Sequence, residues 1–171
     1  MKKSNVAVGL SVALLIGGLL TPNLSLAASK TQSMPVQAQV NANCNFTSSN
    51  TMDFLNYDPI AAGALGGTVG VTVRCTKGAA VSIGIDTGAH AGTVAGSTRA
   101  MQLGASTNRL GYDFYQDSLY ATLWTTSGGG LYSYTAVNNA PATVTIYGRV
   151  PAGQDVPAGL YQDTVIVTVN Y

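Results

Sequence analysis

Met34-Pro35-Val36-Gln37-Ala38-Gln39-Val40-Asn41-Ala42-Asn43-Cys44-Asn45-Phe46 carries an apolar or small residue at every even position. Every odd position holds proline, glutamine or asparagine. Unbroken period-two alternation is the pattern of a strand with one face buried. At about 13 residues the run exceeds the roughly 3–10 residues of an ordinary strand. Such length near one end of a chain points to two jobs: the first strand of a domain, and an arm that pairs elsewhere. A single long strand within the subunit is the plainer alternative.

Upstream, Lys2 and Lys3 precede an apolar block from Val6 to Leu20, and Ser25-Leu26-Ala27 offers small residues for cleavage. A basic start, a short apolar core and a small-residue cut site predict a secretory signal peptide over 1–27, cleaved after Ala27 or Ala28. The remaining chain of about 140 residues suffices for one domain with its own core. The eight basic residues are nearly balanced by seven acidic ones, all aspartates. So few charges leave no electrostatic grip on nucleic acid or an anionic membrane.

Cys44 and Cys75 are the only cysteines. In an exported chain an even count favours one disulfide, here closing a loop of about 30 residues. No histidine stands near them to complete a metal site, and no cofactor motif is present.

Downstream the alternation recurs in short runs: Val69–Cys75, Val81–Ile85, Arg99–Leu103, Leu110–Phe114, Leu119–Leu123, Val144–Val150 and Val165–Tyr171. Turn-rich segments separate them, notably 47–67, 89–97, Ser127–Gly130 and Pro151–Gly159. No window sustains a helical period. Short alternating strands between glycine- and proline-rich turns predict an antiparallel β-sandwich. An immunoglobulin-like sandwich normally has a further strand after the one ending at Tyr171. Its lack would leave an open edge and an exposed core, which the arm is long enough to cover.

Other residues give bland readings. His90, the single histidine, lies in a Gly/Ala-rich loop and is expected to be solvated. Asp113, Asp117 and Asp163 are expected in turns and at strand edges rather than as a catalytic pair. Arg99, Arg109 and Arg149 are expected to be salt-bridged or solvated. Tyr112, Phe114, Tyr115, Tyr120, Trp124, Tyr132 and Tyr134 form an aromatic set that fits core packing, stacking on sugars or a hydrophobic surface being the functional alternative, with Tyr132 and Tyr134 the best placed to be exposed. No nucleophile motif indicates an enzyme.

Several segments resemble the spore coat protein U domain family, which includes subunits of archaic-type chaperone–usher fimbriae. The resemblance rests on Pro151-Ala152-Gly153-Gln154, on Pro157-Ala158-Gly159-Leu160-Tyr161-Gln162-Asp163-Thr164, and on Val165–Tyr171. It extends to Arg99-Ala100-Met101, to Leu110–Asp117, and to the Cys44 and Cys75 pair. It implies an all-β, incomplete immunoglobulin-like sandwich over 43–171, lacking its last strand and completed by donor-strand complementation. It also implies a donor-strand extension over 28–42. In that reading Met34, Val36, Ala38 and Val40 are the inserted knobs, and Val165, Val167, Val169 and Tyr171 edge the acceptor groove. The implied partners are a periplasmic chaperone, an outer-membrane usher, and identical or related pilin subunits in a homopolymer. The implied product is a surface fimbria, exported through the periplasm of a Gram-negative-type bacterium and supporting adhesion and biofilm formation. A spore or cell-surface coat protein that forms no thin filament is the alternative. A secreted carbohydrate-binding or hydrolytic module is a further class, marked by a stable monomer with its arm folded in.

Overall fold

A computed structural model describes residues 27–48 and 50–171. The expected signal peptide therefore lies, but for Ala27, outside the described residues. The chain divides into two units, 1–38 and 39–171. In the first, residues 27–38 are exposed and carry no regular secondary structure. The alternating run thus forms a strand only from Cys44 onward, not from Met34. An extended segment with no ladder partner leaves its peptide groups to water and gains nothing from a strand geometry.

The described residues of the second unit form nine strands: β1 (Cys44–Ser48), β2 (Leu65–Cys75), β3 (Ala80–Ile85), β4 (Arg99–Leu103), β5 (Arg109–Tyr115), β6 (Tyr132–Thr135), β7 (Ala142–Val150), β8 (Tyr161–Gln162) and β9 (Val167–Asn170). A 3₁₀ turn at Gly128–Gly130 is the one helical element among the described residues. Every ladder is antiparallel. One sheet has the order β1-β2-β7-β5-β4-β8 and the other β6-β3-β9.

The core follows from the alternation. Val71 and Val73 of β2, Val144 and Ile146 of β7, and Leu110, Tyr112 and Phe114 of β5 share one buried cluster with Val81, Ile83 and Ile85 of β3. Each such side chain contributes about 1.5–3 kcal/mol on burial. Trp124 fills the space beside β6, 1% exposed and stacked on Tyr132 with ring centroids 5.8 Å apart. Cys44 and Cys75 are directly opposed across β1 and β2 and are joined by a disulfide.

Two expectations are corrected. Residues 119–123 form no strand. The Asp117 carboxylate accepts the N–H groups of Leu119, Ala121 and Thr122, and Tyr120 adopts a positive φ of 57°. This local turn chemistry overrides the apolar alternation, leaving one bridge between Leu123 and Tyr115. Strand β6 forms where the sequence offers only aromatics beside a glycine loop, and its Tyr132 and Tyr134 are half-buried rather than exposed.

Candidate functional site

Among the described residues strand β9 pairs with β3 alone, which leaves its other side without a ladder partner. Just before it, the Asp86 N–H donates to the Ile166 carbonyl at 3.1 Å. The Ile166 N–H donates in turn to Asp86 Oδ1 at 2.8 Å. Both backbone groups of Ile166 therefore face β3. Alternation along an antiparallel ladder turns those of Thr168 and Asn170 the same way. It turns the N–H and C=O groups of Val165, Val167, Val169 and Tyr171 toward the open side. The side chains of Val165, Val167 and Val169 are half-buried against the core, whereas Tyr171 is 56% exposed. Of these four residues Val167 and Val169 lie within β9, and Val165 and Tyr171 flank it. The same residues thus offer both a free hydrogen-bonding edge and an apolar floor.

In the larger sheet the edge strand that follows the arm in sequence is β1, paired among the described residues with β2 alone. Asn43 and Thr76 bind each other, Thr76 N–H to the Asn43 carbonyl at 2.8 Å and Asn43 N–H to Thr76 Oγ1 at 3.1 Å. By alternation Cys44 and Phe46 turn their backbone groups outward, and Phe46 is 44% exposed. Past β1 the chain runs over the core through half-buried Met52, Phe54 and Tyr57. Segments 52–59 and 156–161 then wall a cavity of about 390 Å³ whose floor includes Met101, Leu110 and Val150.

A buried polar network braces the start of β9. Arg99 is fully buried and donates to the carbonyls of Ile85 (3.0 Å), Asp86 (2.8 Å) and Trp124 (3.0 Å). Its guanidinium also lies 3.7 Å from Asp113 and over the ring of Phe114. Burial lowers the pKa of Arg99, and Asp113 opposes that shift. Asp113 accepts from the backbone and hydroxyl of Thr98, so it is a buried ion-pair partner rather than a turn or edge residue. Asp163 accepts from the Tyr112 hydroxyl at 2.8 Å and from the Ala89 N–H at 3.1 Å. Burial, and then Asp163, push the Tyr112 hydroxyl well above its ordinary pKa. His90 Nδ1 lies 3.3 Å from the same carboxylate, which corrects the expectation of a solvated loop histidine. Loop and core groups converge on Asp163 because they satisfy a carboxylate that the β8–β9 junction carries inward.

Met34, Val36, Ala38 and Val40 belong to no ladder and are exposed, at 80%, 83% and 81% for Met34, Val36 and Val40. Among the described residues no group of three or more His, Cys, Asp or Glu side chains is placed to hold a metal. No described helix is long and apolar enough to cross a membrane. Two features of the site are invisible in the sequence pattern. One is the Gln154 side chain, which accepts from the Gly111 N–H at 2.6 Å and donates to the Gly111 carbonyl at 2.9 Å. The other is Phe54, which packs against Gly67 and Gly148.

Comparison with known proteins agrees with this architecture. Residues 30–168 match the family model described as the Spore Coat Protein U domain. "Protein U" of Myxococcus xanthus is 36% identical over 159 residues, covering 85% of this chain and 87% of that protein. A chain in the crystal structure of the CsuC–CsuE chaperone–tip adhesion subunit pre-assembly complex, from the archaic chaperone–usher Csu pili of Acinetobacter baumannii, superposes with a TM-score of 0.52 at 22% identity. That match covers 77% of this chain and 40% of the other. The chain belongs to the Spore Coat Protein U domain family, whose proteins are structural and not enzymes.

Proposed function

We propose that this protein is a subunit of a chaperone–usher fimbria that polymerises by strand donation. The observation that carries the reading is the coincidence on Val165, Val167 and Val169 of outward backbone groups and inward side chains. An edge of that kind accepts an added strand: main-chain hydrogen bonds give affinity, and alternate side chains entering the core give specificity. The arm over 28–42 has the matching period, with Met34, Val36, Ala38 and Val40 as knobs. A donated strand continuing the antiparallel order of β6-β3-β9 would turn Met34, Val36, Ala38 and Val40 to the same face as Val165, Val167 and Val169. Head-to-tail donation does not close on itself and so builds a filament. An open edge with an apolar floor invites aggregation unless it is covered from the outset. A periplasmic chaperone that lends a strand, and an outer-membrane usher that exchanges it for the next arm, meet that need. The structural neighbour comes from a chaperone–subunit pre-assembly complex, which supports the first of these partners. Residues 1–27 are the export signal in this scheme, and the filament stands on the cell surface, where it supports adhesion and biofilm formation.

The test is unboiled gel electrophoresis of the refolded protein beside a version beginning at Asn43, across a concentration series. A heat-sensitive ladder from the full arm alone is expected. A single monomer band at every concentration would remove strand donation. Membership of a spore-coat family, together with a 36% identical relative of similar length, favours one second reading: a coat that paves a surface without thin filaments. Electron microscopy of the assembled protein separates a layer from a fibre.

A further inference from the structure

Strand β8 ends at Gln162 and β9 begins at Val167, so residues 163–166 belong to no ladder. Such a stretch keeps its backbone freedom unless other groups hold it. Two carboxylates do so, from opposite directions. Asp86 directly follows β3, and its Oδ1 accepts the Ile166 N–H at 2.8 Å. The Asp86 N–H completes the pair on the Ile166 carbonyl at 3.1 Å. Asp163 directly follows β8; its Oδ1 accepts the Ala89 N–H at 3.1 Å and faces His90 Nδ1 at 3.3 Å. Each segment thus offers its aspartate to the backbone of the other.

Both fastenings are rooted in the core. The Asp86 carbonyl accepts from Nε of the fully buried Arg99 at 2.8 Å. The Asp163 side chain is 3% exposed, and its Oδ2 accepts from the hydroxyl of buried Tyr112 at 2.8 Å. Gly88 permits the close approach of the two segments. Its φ is positive, at 74°, and its N–H donates to Asp86 Oδ1 at 3.1 Å. A Cβ at that position would collide with the Asp163 carboxylate. Val165 lies between the two fastenings. Its side chain packs on the core, and its backbone groups turn to the side of β9 that has no ladder partner among the described residues.

We propose that Asp86 and Asp163 are positioning residues for strand acceptance. They form a reciprocal latch that holds 163–166 in place before any partner arrives, and so extends the accepting edge past the β3–β9 ladder to Val165. This role rests on the strand-donation reading, but it needs no particular register of the incoming strand, because the latch acts on the acceptor alone. An edge fixed beforehand need not be ordered at the moment of binding, and the complex is tighter for it.

The test uses the full chain carrying Val36→Asp and Val40→Asp in its own arm, so that it does not assemble with itself. A labelled peptide of residues 30–43 is offered to this host and to the same host with Asp86→Ala or Asp86→Asn. Peptide affinity and hydrogen exchange at the Ile166 amide are both measured. In the alanine host the Ile166 amide is expected to exchange faster by about tenfold or more, while the β2–β7 ladder keeps its protection. The peptide is expected to bind about tenfold more weakly, the effect of ordering roughly one backbone residue on binding. The asparagine host is expected to restore both, since its side-chain oxygen still accepts the Ile166 N–H. A merely structural role would lower the urea midpoint of the alanine host and leave the affinity of the folded protein unchanged. That result, or unchanged exchange at Ile166, overturns the proposal while leaving strand donation intact. Should the alanine host fail to fold, His90→Ala strips a partly exposed partner from Asp163 and is expected to weaken the peptide about threefold; equal affinity there overturns the proposal. Failure of the peptide to bind the host with Asp86 intact removes strand donation itself, and the latch with it.

Discussion

Arg99 shows how much of the fold hangs on single side chains. It crosses from β4 to the carbonyls of Ile85 and Asp86 at the end of β3, so one guanidinium bolts the two sheets together where β9 begins. Replacing it with methionine keeps the volume but leaves the Asp113 carboxylate buried without its counter-charge. Breaking a buried pair from one side costs about 3–5 kcal/mol, and urea unfolding of Arg99→Met should lose that much. Tyr112 gives a pH signature. Its hydroxyl is buried and bound to Asp163, and both effects favour the neutral form. Its folded pKa is therefore above the unfolded one, near 10. The stabilisation is complete below about pH 10 and fades as pH rises beyond it toward the folded value. The urea midpoint of the native protein should fall above pH 10, and the midpoint of Tyr112→Phe should fall less steeply over the same range. Parallel slopes would take Tyr112 out of the alkaline transition.

At the scale of elements, the strands legible in the sequence were those whose period ran for five residues or more, β2, β5 and β7 above all. Their inward positions are the core. What the period could not reveal were contacts made by residues far apart in the chain. Gly67 and Gly148 are unremarkable glycines until β2 and β7 are laid side by side. Asp163 and His90 meet only because the β8–β9 junction passes over the loop after β3. Gln154 is the clearest case. The β5–β7 ladder covers Asp113–Tyr115, and at Gly111 the Gln154 amide occupies the place of a strand, pairing with both backbone groups. Gln154→Ala leaves those two groups partly buried and unpaired, at a cost of about 1–3 kcal/mol. Hydrogen exchange at the Gly111 amide should accelerate accordingly, and unchanged protection would mean that water substitutes fully. The disulfide acts on an element too, fastening β1 to β2 across a separation of 31 residues. Closing a loop of that size is worth roughly 3–4 kcal/mol in the chain-entropy model. Cys44→Ser should accumulate less in the periplasm, since β1 then detaches from the sheet more readily; native levels on an immunoblot would contradict this.

For the whole molecule, the strand-donation proposal joins an arm that has no ladder among the described residues to a sandwich whose β9 edge has no partner among them. The period of the arm matches that of β9: the arm's apolar side chains are exposed, and the half-buried Val165, Val167 and Val169 carry the outward backbone groups. Pro35 has no N–H to give, so the ladder should be weakest toward that end of the arm and strongest around Val36 to Val40. An aspartate at each of Val36 and Val40 would carry an unpaired carboxylate into an apolar cleft, and each such burial costs several kcal/mol. The double variant Val36→Asp, Val40→Asp should be exported and form its disulfide normally, because both residues are solvent-exposed in the free subunit. It should yield neither a heat-sensitive ladder nor filaments under the electron microscope. Single variants should fall between, with Val36→Asp, nearer the middle of the knob series, shortening filaments more than Met34→Asp at its tip. Filaments of native length from the double variant would exclude the arm from assembly and leave the β9 edge to be covered by something else.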